Sequence, residues 1–415
     1  MNSSSQNQLD FVHLLIALTI CALWFYFAQR LNLFGDDLVY GKSTVGSEFL
    51  LSHYRGWSSR LFIETVLIAT LGAKWILQVF TLLVLLATPL GVYLLIKRFG
   101  VGFGQCVVLA GILPLWTMNS AGWGATLINY WYPSTAAIFA LYFVLRKERL
   151  GPLATVAMVV LLLFAANQEL VAIALLGIVG LLLLYGERTP RVWLALTLVV
   201  LSIFFELTTP GNHARFLSET KTWLPAFVDY TFLYKAYIGT MRVVRFHLFE
   251  MNACFVLLAA SLVYFKCRST EKTLLAIVIL FALQMALKGP LGGMNGIAPF
   301  NGPVGGRPIV SALIAVIEYG FLIWCLFTAP VAIKEKAFLF LACGLAFFVP
   351  AVMGFSPTIW ASADRTFLPG EFMLVTLGAA LFGYAGIGRN DFWKVLYFCL
   401  LVAGPRLVRL VITMV

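Results

Sequence analysis

The stretch WILQVFTLLVLLATPLGVYLLI, residues 75–96, decides the fold class of this chain. It holds 22 consecutive residues without a charged side chain, and Lys97 and Arg98 follow it directly. Because about 20 apolar residues in a helix cross the hydrocarbon core of a bilayer, the stretch predicts a transmembrane helix. The whole chain has the same character, since 61% of its 415 residues are apolar and only 11% are charged. The sequence therefore predicts an all-α, polytopic transmembrane protein.

Similar apolar runs recur along the chain. We predict about twelve or thirteen spans, at residues 11–29, 75–96, 103–118, 127–145, 152–166, 169–185, 192–208, 248–265, 273–287, 310–330, 337–354 and 368–387, with a last one after Asp391. Residues 1–415 are expected to form a single membrane domain with no separate soluble domain. The N-terminal sequence MNSSSQNQLDF lacks the basic start of a cleaved signal peptide, so we interpret the first apolar run as a retained span.

Short basic connections between the spans predict the orientation. Lysine and arginine cluster at residues 97–98, 146–149, 188–191, 266–272, 334–336 and 389, and these positions fall on one side of an alternating topology. Because basic connections favour the cytoplasm, we assign that side to it. The first span alone argues the other way, since Asp10 precedes it and Arg30 follows it. The agreement among the later connections outweighs this one flank.

The opposite, outer side receives the longer connections, at residues 31–74, 119–130, 209–247, 288–309 and 355–367. They contain many ionisable side chains: Asp36, Asp37, His53, Arg55, Arg60, His213, Arg215, Lys221, Asp229, Lys235, Arg242, Arg245, Lys288, Arg307, Asp364 and Arg365. Because cations are disfavoured in short outer connections, their number here predicts an anionic ligand at the outer surface. The glycine- and proline-rich segment Gly289–Pro308 fits either a mobile flap over an outer cavity or an ordinary long linker.

Several classes of function are not expected. The net charge is +11, but the basic residues are scattered over alternating sides of the membrane and form no stripe for nucleic acid. The seven cysteines form no C-x-x-C pair and lie mostly inside spans, so we interpret them as small buried side chains rather than metal ligands or disulfides. No complete G-x-G-x-x-G or P-loop motif is present. Any activated donor is therefore expected to arrive from the lipid phase.

An interfacial helix is predicted in the first outer connection. The stretch SEFLLSHYRGWSSRLFIETVLIA, which begins at residue 47, places Tyr54 and Trp57 at helical spacing among apolar residues. On a helix lying in the outer interface, Arg55 and Arg60 would reach towards lipid phosphates. An ordinary amphipathic connector with an ion pair between Arg60 and Glu64 explains the same pattern.

Short motifs in the first half of the chain resemble the C-type glycosyltransferases. GDDLVYG at residues 35–41, followed by HYRGWSSRLF, looks like an uncharacterised bacterial membrane family allied to the serotype-converting glucosyltransferases. INYWYPS from residue 128, ANQE from residue 166 and TPGNHARF from residue 209 are similar to further elements of that family. The resemblance implies a C-type fold, with an acidic residue in the first outer loop followed by interfacial helices. Many such enzymes carry a sizeable outer C-terminal domain, whereas this chain ends in FCLLVAGPRLVRLVITMV, so the loops are expected to recognise the acceptor.

The resemblance implies a membrane glycosyltransferase that moves a sugar from a polyprenyl-phosphate donor to a cell-envelope glycan or a lipid-linked acceptor. Its site would face the outside of the bacterial cytoplasmic membrane. Transfer to an alcohol needs a base for the acceptor proton and positive charge for the departing phosphate. Asp36 or Asp37 is the expected base, because repulsion between adjacent carboxylates raises one pKa; a solvated pair that caps a loop is the alternative. No cofactor is expected, and no further ligand cluster supports a metal.

Two further sets of residues are expected in the site. The donor phosphate is assigned to Arg60, Arg215 and Arg365, because guanidinium groups suit phosphate bidentately. Contacts to the sugar or acceptor are assigned to Tyr54, Trp57, Asn129, Trp131, Glu169 and His213, the last also as a proton relay. All of them have ordinary alternatives as headgroup anchors, aromatic belt residues, helix caps or buried polar contacts.

Glu318 supports a different class of function. It falls near the middle of a predicted span, where a carboxylate is costly unless it is paired or functional. A flippase or transporter of lipid-linked sugars would use ionisable groups at that depth. An O-antigen-type polymerase or ligase is a third alternative, with the same outer basic loops. The expected partners of the glycosyltransferase are a polyprenyl-phosphate-linked sugar donor, a glycan or lipid-linked acceptor and membrane lipids, without nucleic acid.

Overall fold

A computed structural model describes residues 3–42, 47–250, 252–288 and 306–413. These residues form helices and connecting turns with no β-strand, and the predicted all-α class is confirmed for them. Most of the glycine-rich segment predicted as a flap or linker, residues 289–305, lies outside the described residues.

Nineteen α-helices are present in the described ranges. They are α1 (Ser3–Arg30), α2 (Asp36–Tyr40), α3 (Ser47–Gly56), α4 (Leu61–Leu71), α5 (Lys74–Ile96), α6 (Phe103–Gly111), α7 (Trp123–Thr126), α8 (Tyr132–Leu145), α9 (Pro152–Ala165), α10 (Glu169–Leu184), α11 (Pro190–Thr208), α12 (Pro210–Trp223), α13 (Phe232–Val244), α14 (Ala253–Cys267), α15 (Thr270–Lys288), α16 (Gly306–Thr328), α17 (Ile333–Ala351), α18 (Leu368–Tyr384) and α19 (Arg389–Thr413). Short 3₁₀ turns and two π-helical turns, Leu127–Trp131 and Arg245–Phe249, connect or extend them.

Six helical segments in the described ranges are long and apolar enough to cross a membrane, which makes this a multi-pass membrane protein. They are Asp10–Arg30, Lys74–Phe99, Pro190–Thr208, Ile333–Phe355, Ala363–Tyr384 and Arg389–Ile412. A seventh span results if the bent pair Phe232–Leu248 and Ala253–Cys267 is counted as one. The predicted number of twelve or thirteen full spans is not reached by this measure.

The difference arises because an uninterrupted apolar run is not always an uninterrupted helix. The predicted span 103–118 ends as an α-helix at Gly111, ahead of Pro114, and continues as the 3₁₀ turn Leu115–Asn119. Helix α9 has 14 residues, which at about 1.5 Å per residue gives roughly 21 Å, less than the roughly 30 Å hydrocarbon core. Protein contacts can shield such short or broken helices from lipid.

The core is built around α14 and α18. Every residue of α14 from Ala253 to Phe265 is buried, so this helix is apolar on all sides and surrounded by protein. A Cβ at Gly378 of α18 would lie 3.4 Å from the backbone of Leu258, which shows how closely the two helices pack. Small residues permit this approach in membrane bundles.

The basic connections meet at one end of the molecule, the basic end. Arg268 donates to the Ala385 carbonyl, and Lys266 donates to the Thr328 carbonyl over 3.2 Å. Asp10, whose position opposed the predicted orientation, pairs with Arg389 at 3.0 Å in the same region. The described connections therefore lie on one side, as predicted, although which side of the membrane this is stays a prediction.

The opposite end, called the outer end after the predicted orientation, carries α2, α3 and α12, with the 3₁₀ turns around residues 352–367. Helix α12 packs against the end of α3 so closely that a Cβ at Gly211 would lie 2.6 Å from the His53 carbonyl oxygen. The continuous interfacial helix predicted from residue 47 is wrong, because α3 stops at Gly56 and α4 starts at Leu61. Side chains from distant segments bind the backbone of this break, residues 57–60.

Cysteine accessibility tests the orientation. Cys267 is exposed and is first replaced by Ser. In that background we expect a membrane-impermeant maleimide to label Ser52→Cys, on exposed α3, in right-side-out vesicles. Glu187→Cys, an exposed control at the basic end, should react only after detergent is added. The reverse pattern would place the outer end in the cytoplasm.

Candidate functional site

A polar cavity of about 510 Å³ opens at the outer end. Its walls come from the start of α2, the break between α3 and α4, residues 120–130, α12 and residues 358–365. Six of the eleven predicted site residues line it: Asp36, Trp57, Arg60, Asn129, Arg215 and Arg365. Segments more than 300 residues apart in sequence thus line the same cavity. Its volume lies within the range that is typical of ligand-binding sites.

The two adjacent aspartates have different surroundings. Asp37 is fully buried, and its carboxylate accepts hydrogen bonds from the backbone N–H groups of Ala125 at 2.6 Å and Gly124 at 3.2 Å. It therefore caps the start of α7 from a distant segment. Burial raises the pKa of Asp37, although these two hydrogen bonds oppose the shift. Asp36 is exposed and faces the cavity.

Two glycines make this arrangement sterically possible. Gly35 has φ of 54°, and a Cβ there would lie 2.5 Å from the Ala121 carbonyl oxygen. Gly122 has φ of 136°, and a Cβ there would lie 2.6 Å from Asp37 Oδ1. Larger residues would separate α2 from α7, so the GDD motif positions Asp36 through backbone contact.

Arg60 is held by side chains from two other segments. Its Nε lies 3.0 Å from both carboxylate oxygens of Glu169, its Nη2 donates to Glu169 Oε2 at 2.5 Å, and its Nη1 donates to Asn129 Oδ1 at 2.9 Å. Burial alone would lower the pKa of Arg60, but Glu169 keeps it above its usual range. The alternative pairing with Glu64 is not made. Arg60 is cationic at the cavity wall, yet most of its charge is already paired with protein.

Two asparagines, not predicted as site residues, hold the break between α3 and α4. Asn167 accepts from the N–H groups of Phe62 and Ile63 at 3.0 and 3.1 Å, and donates to the Ser59 carbonyl at 3.0 Å. Asn212 accepts from the Ser59 N–H at 3.1 Å and donates to Ser59 Oγ at 2.9 Å. Both asparagines stand inside the motifs ANQE and TPGNHARF, so the sequence contained a signal for them.

The other two arginines differ in how much of their charge is free. Arg215 donates to Glu219 at 3.3 Å and lies over the ring of Trp57, 5.4 Å from its centre. Arg365 donates to Ser120 Oγ at 3.0 Å, and its Nε is buried without a hydrogen-bond partner. Within the described ranges no carboxylate makes an ion pair with Arg365. It is thus the cavity arginine best placed to receive an external anion.

Five predicted residues do not line the cavity. Two of them, Asp37 and Glu169, contact residues of its wall from behind.

 

Glu169 reaches the site only through Arg60, and Asp37 only through the backbone that it caps. Trp131 is buried, donates to Thr88 Oγ1 at 3.0 Å and packs edge-on against Phe372. Its side chain lies in the core and does not line the cavity, so its position does not support the predicted sugar contact.

Tyr54 and His213 also point elsewhere. The Tyr54 ring stacks on Phe205 at 5.9 Å, and His213 is exposed on α12 outside the cavity. Because two residues along a helix differ by about 200° in direction, His213 and Arg215 cannot face the same cavity. The positions of these two side chains do not support a direct substrate contact.

An acid–base pair in the cavity wall was not predicted. Glu64 is 3% exposed and lines the cavity, and its Oε2 lies 2.9 Å from Nδ1 of His53. The His53 ring lies between Phe49 at 4.0 Å and Tyr40 at 6.1 Å. Burial raises the pKa of Tyr40, which also lines the cavity. The sequence offered Glu64 only as a neighbour of Arg60, because the break between α3 and α4 was not foreseen.

Comparison with known proteins adds no family. No protein-family model matches the chain, and no curated protein matches it. The geometry of the cavity and the chemistry of the residues that line it are therefore the basis for assigning a function.

Separate substitutions test the different roles of the two aspartates. We expect Asp37→Ala to lower the free energy of unfolding by about 1–3 kcal/mol, because it leaves two buried N–H groups at the start of α7 without their acceptor. Asp36→Ala, the matched control, should change it by less than about 0.5 kcal/mol, as is usual for an exposed residue. Thermal unfolding in detergent measures both. Equal unfolding temperatures for the two variants would contradict the capping role.

Proposed function

We propose that this protein is a membrane glycosyltransferase of the C-type fold, which transfers a sugar from a polyprenyl-phosphate donor to a cell-envelope glycan or lipid-linked acceptor. The observation that carries the proposal is the meeting of Asp36, Arg215 and Arg365 around one cavity at the outer end. A carboxylate that faces two guanidinium groups across a cavity supplies both a proton acceptor and positive charge for a phosphate leaving group.

The proposed reaction uses Asp36 as the general base. The acceptor hydroxyl oxygen forms a bond to the anomeric carbon of the sugar, and its proton passes to the Asp36 carboxylate. The bond between the anomeric carbon and the phosphate oxygen breaks, and its electron pair leaves with the polyprenyl phosphate. Asp37 takes no part in this transfer, because both of its oxygens already accept backbone hydrogen bonds.

The arginines of the cavity stabilise the leaving phosphate. Arg365 carries the largest share in this proposal, since it has no ion-pair partner among the residues that the structure describes. Arg215 contributes after it releases or shares Glu219, which lies 3.3 Å away. Arg60 is a positioning residue, because Glu169 and Asn129 already take up its donors and fix the cavity wall. Trp57, whose ring centre lies 5.4 Å from the Arg215 guanidinium carbon, offers an aromatic face for a sugar ring.

A lipid-linked donor also suits the surroundings of the cavity. A groove of about 420 Å³ lies beside the break between α3 and α4 and is lined mainly by apolar residues, among them Leu50, Phe62, Leu163 and Phe205. A prenyl tail in this groove would place its phosphate near the break. We further propose that the outer end faces the outside of the bacterial cytoplasmic membrane, so that the donor reaches the site through the lipid.

One observation favours a second candidate, a transporter or flippase of lipid-linked sugars. Glu318 is buried within α16, and both of its carboxylate oxygens lack a hydrogen-bond partner. It lies in a different cavity from Asp36. A transporter would show no sugar transfer in a reconstituted system, whereas the glycosyltransferase would.

Replacement of Asp36 tests the proposed base. In proteoliposomes supplied with polyprenyl-phosphate sugars and acceptor, we expect Asp36→Asn to reduce transfer by about 10²- to 10⁴-fold, because the amide cannot accept the proton. Donor binding should persist, since the phosphate contacts remain. Glu48→Gln, an exposed carboxylate on α3 that does not line the cavity, is the control and should transfer normally. Near-normal transfer by Asp36→Asn would rule out Asp36 as the base.

Replacement of Arg365 tests the phosphate site. We expect Arg365→Gln to weaken donor binding by about 10- to 100-fold, in line with the roughly 1.5–3 kcal/mol of a hydrogen bond to a charged group. Turnover should fall as well, because the phosphate is charged in both the ground state and the transition state. Arg55→Gln removes an exposed arginine outside the cavity and should leave donor binding unchanged. Equal donor affinity in the two variants would show that Arg365 does not contact the phosphate.

A further inference from the structure

A second, separate cavity lies among helices that the sequence predicts as membrane spans. It has a volume of about 300 Å³ and lies between α14, α15 and α16. Its described lining consists of alanine, valine, isoleucine, leucine and phenylalanine side chains, with Glu318 as the exception. The cavity is at the small end of the range for ligand sites and almost uniformly apolar.

Glu318 has no partner inside this cavity. Glu318 is 5% exposed, and neither of its carboxylate oxygens has a hydrogen-bond partner. An isolated ionised carboxylate in an apolar medium is very costly, so it must either hold a proton or meet a cation. No lysine or arginine of the described residues forms an ion pair with it. A cation for Glu318 would therefore have to come from outside the protein.

The cavity is placed to receive that cation from the lipid. Glu318 precedes Thr328, a contact of the basic end, by ten residues, which at about 1.5 Å per residue is roughly 15 Å, half the thickness of the hydrocarbon core. Ile279, Ile317 and Phe321 line the cavity and remain 52%, 67% and 44% exposed. These exposed apolar side chains mark an opening towards lipid rather than water.

The chemistry of the walls selects the ligand. We propose that Glu318 and its cavity bind a lipophilic organic cation in exchange for a proton. The carboxylate neutralises the cationic centre, the aliphatic walls accept its apolar substituents, and the Phe321 ring offers a face for cation–π contact. A neutral molecule would leave the acid protonated and gain only apolar contact. An anion would find no positive group in the described lining.

The exchange has a simple proton balance. Without ligand the Glu318 carboxyl holds its proton; when the cation enters, the O–H bond breaks, the proton leaves to water, and an ion pair replaces it without a covalent bond to the ligand. No other titratable side chain of the described residues lines the cavity. The other titratable groups on the surrounding helices are Cys254, Tyr264, Lys266 and Cys267 on α14, Glu271, Lys272 and Lys288 on α15, Arg307, Tyr319 and Cys325 on α16, and Lys334, Glu335, Lys336 and Cys343 on α17.

Binding of tetraphenylphosphonium to the purified full chain in detergent tests the proposal. We expect saturable binding with about one proton released per cation, and affinity that rises by about tenfold per pH unit while the carboxyl is protonated. Glu318→Gln should bind at least about tenfold more weakly and release no proton. Glu187→Gln, an exposed control at the basic end, should behave like the unchanged protein. Absence of binding, or binding without proton release, would overturn the proposal.

Two further measurements keep the result interpretable. Glu318→Asp retains the carboxyl group and should still exchange a proton for the cation, which separates lost chemistry from lost folding. Neutral triphenylphosphine oxide should compete poorly, because it has a similar shape without the charge. Equal competition by the oxide, or unchanged binding by folded Glu318→Gln, would show a merely hydrophobic cavity and refute the assignment.

Discussion

The ion pair between Arg60 and Glu169 is the contact on which the outer end depends. It joins the break between α3 and α4 to the first residue of α10, and Asn129 adds the segment that precedes α8. The pair is partly buried, with side-chain exposures of 13% and 33%. Loss of one partner would leave a charge with little access to water, which costs far more than loss of a surface pair. The wall of the polar cavity is therefore fixed by electrostatics as well as by packing.

Around this contact, polar side chains satisfy the backbone where helices stop. Asn167 accepts two N–H groups at the start of α4, Asp37 accepts two at the start of α7, and Asn212 accepts the Ser59 N–H. Such capping matters more here than in a water-soluble protein, because backbone groups near lipid have few other partners. The same contacts leave Asp36 and Arg365 free to face the cavity.

The sequence predicted the fold class well and the connectivity of the site only in part. The charge-free run at residues 75–96 predicts a membrane helix and little else, and the structure has a helix there, Lys74–Ile96. Asp36 and Asp37 could not be distinguished, because the partners of Asp37 lie 87 and 88 residues further along the chain. In the same way, local spacing offered only Glu64 as an ion-pair partner for Arg60, whereas the observed partner is Glu169. Periodicity reports neighbours along a helix and says nothing about contacts between distant segments.

The sequence distances within the outer end imply an order of assembly during synthesis. Arg60 emerges 109 residues before Glu169, Ser59 emerges 153 residues before Asn212, and Ser120 precedes Arg365 by 245 residues. A nascent chain that has just passed α8 can already cap α7 with Asp37, yet its Arg60 still lacks its carboxylate. The break between α3 and α4 can form its hydrogen bonds to Asn212 only after α12 has been synthesised. The wall of the cavity is completed last, when residues 358–365 have been synthesised. Arg60 therefore stays without its carboxylate partner during the synthesis of six helices, α4 to α9.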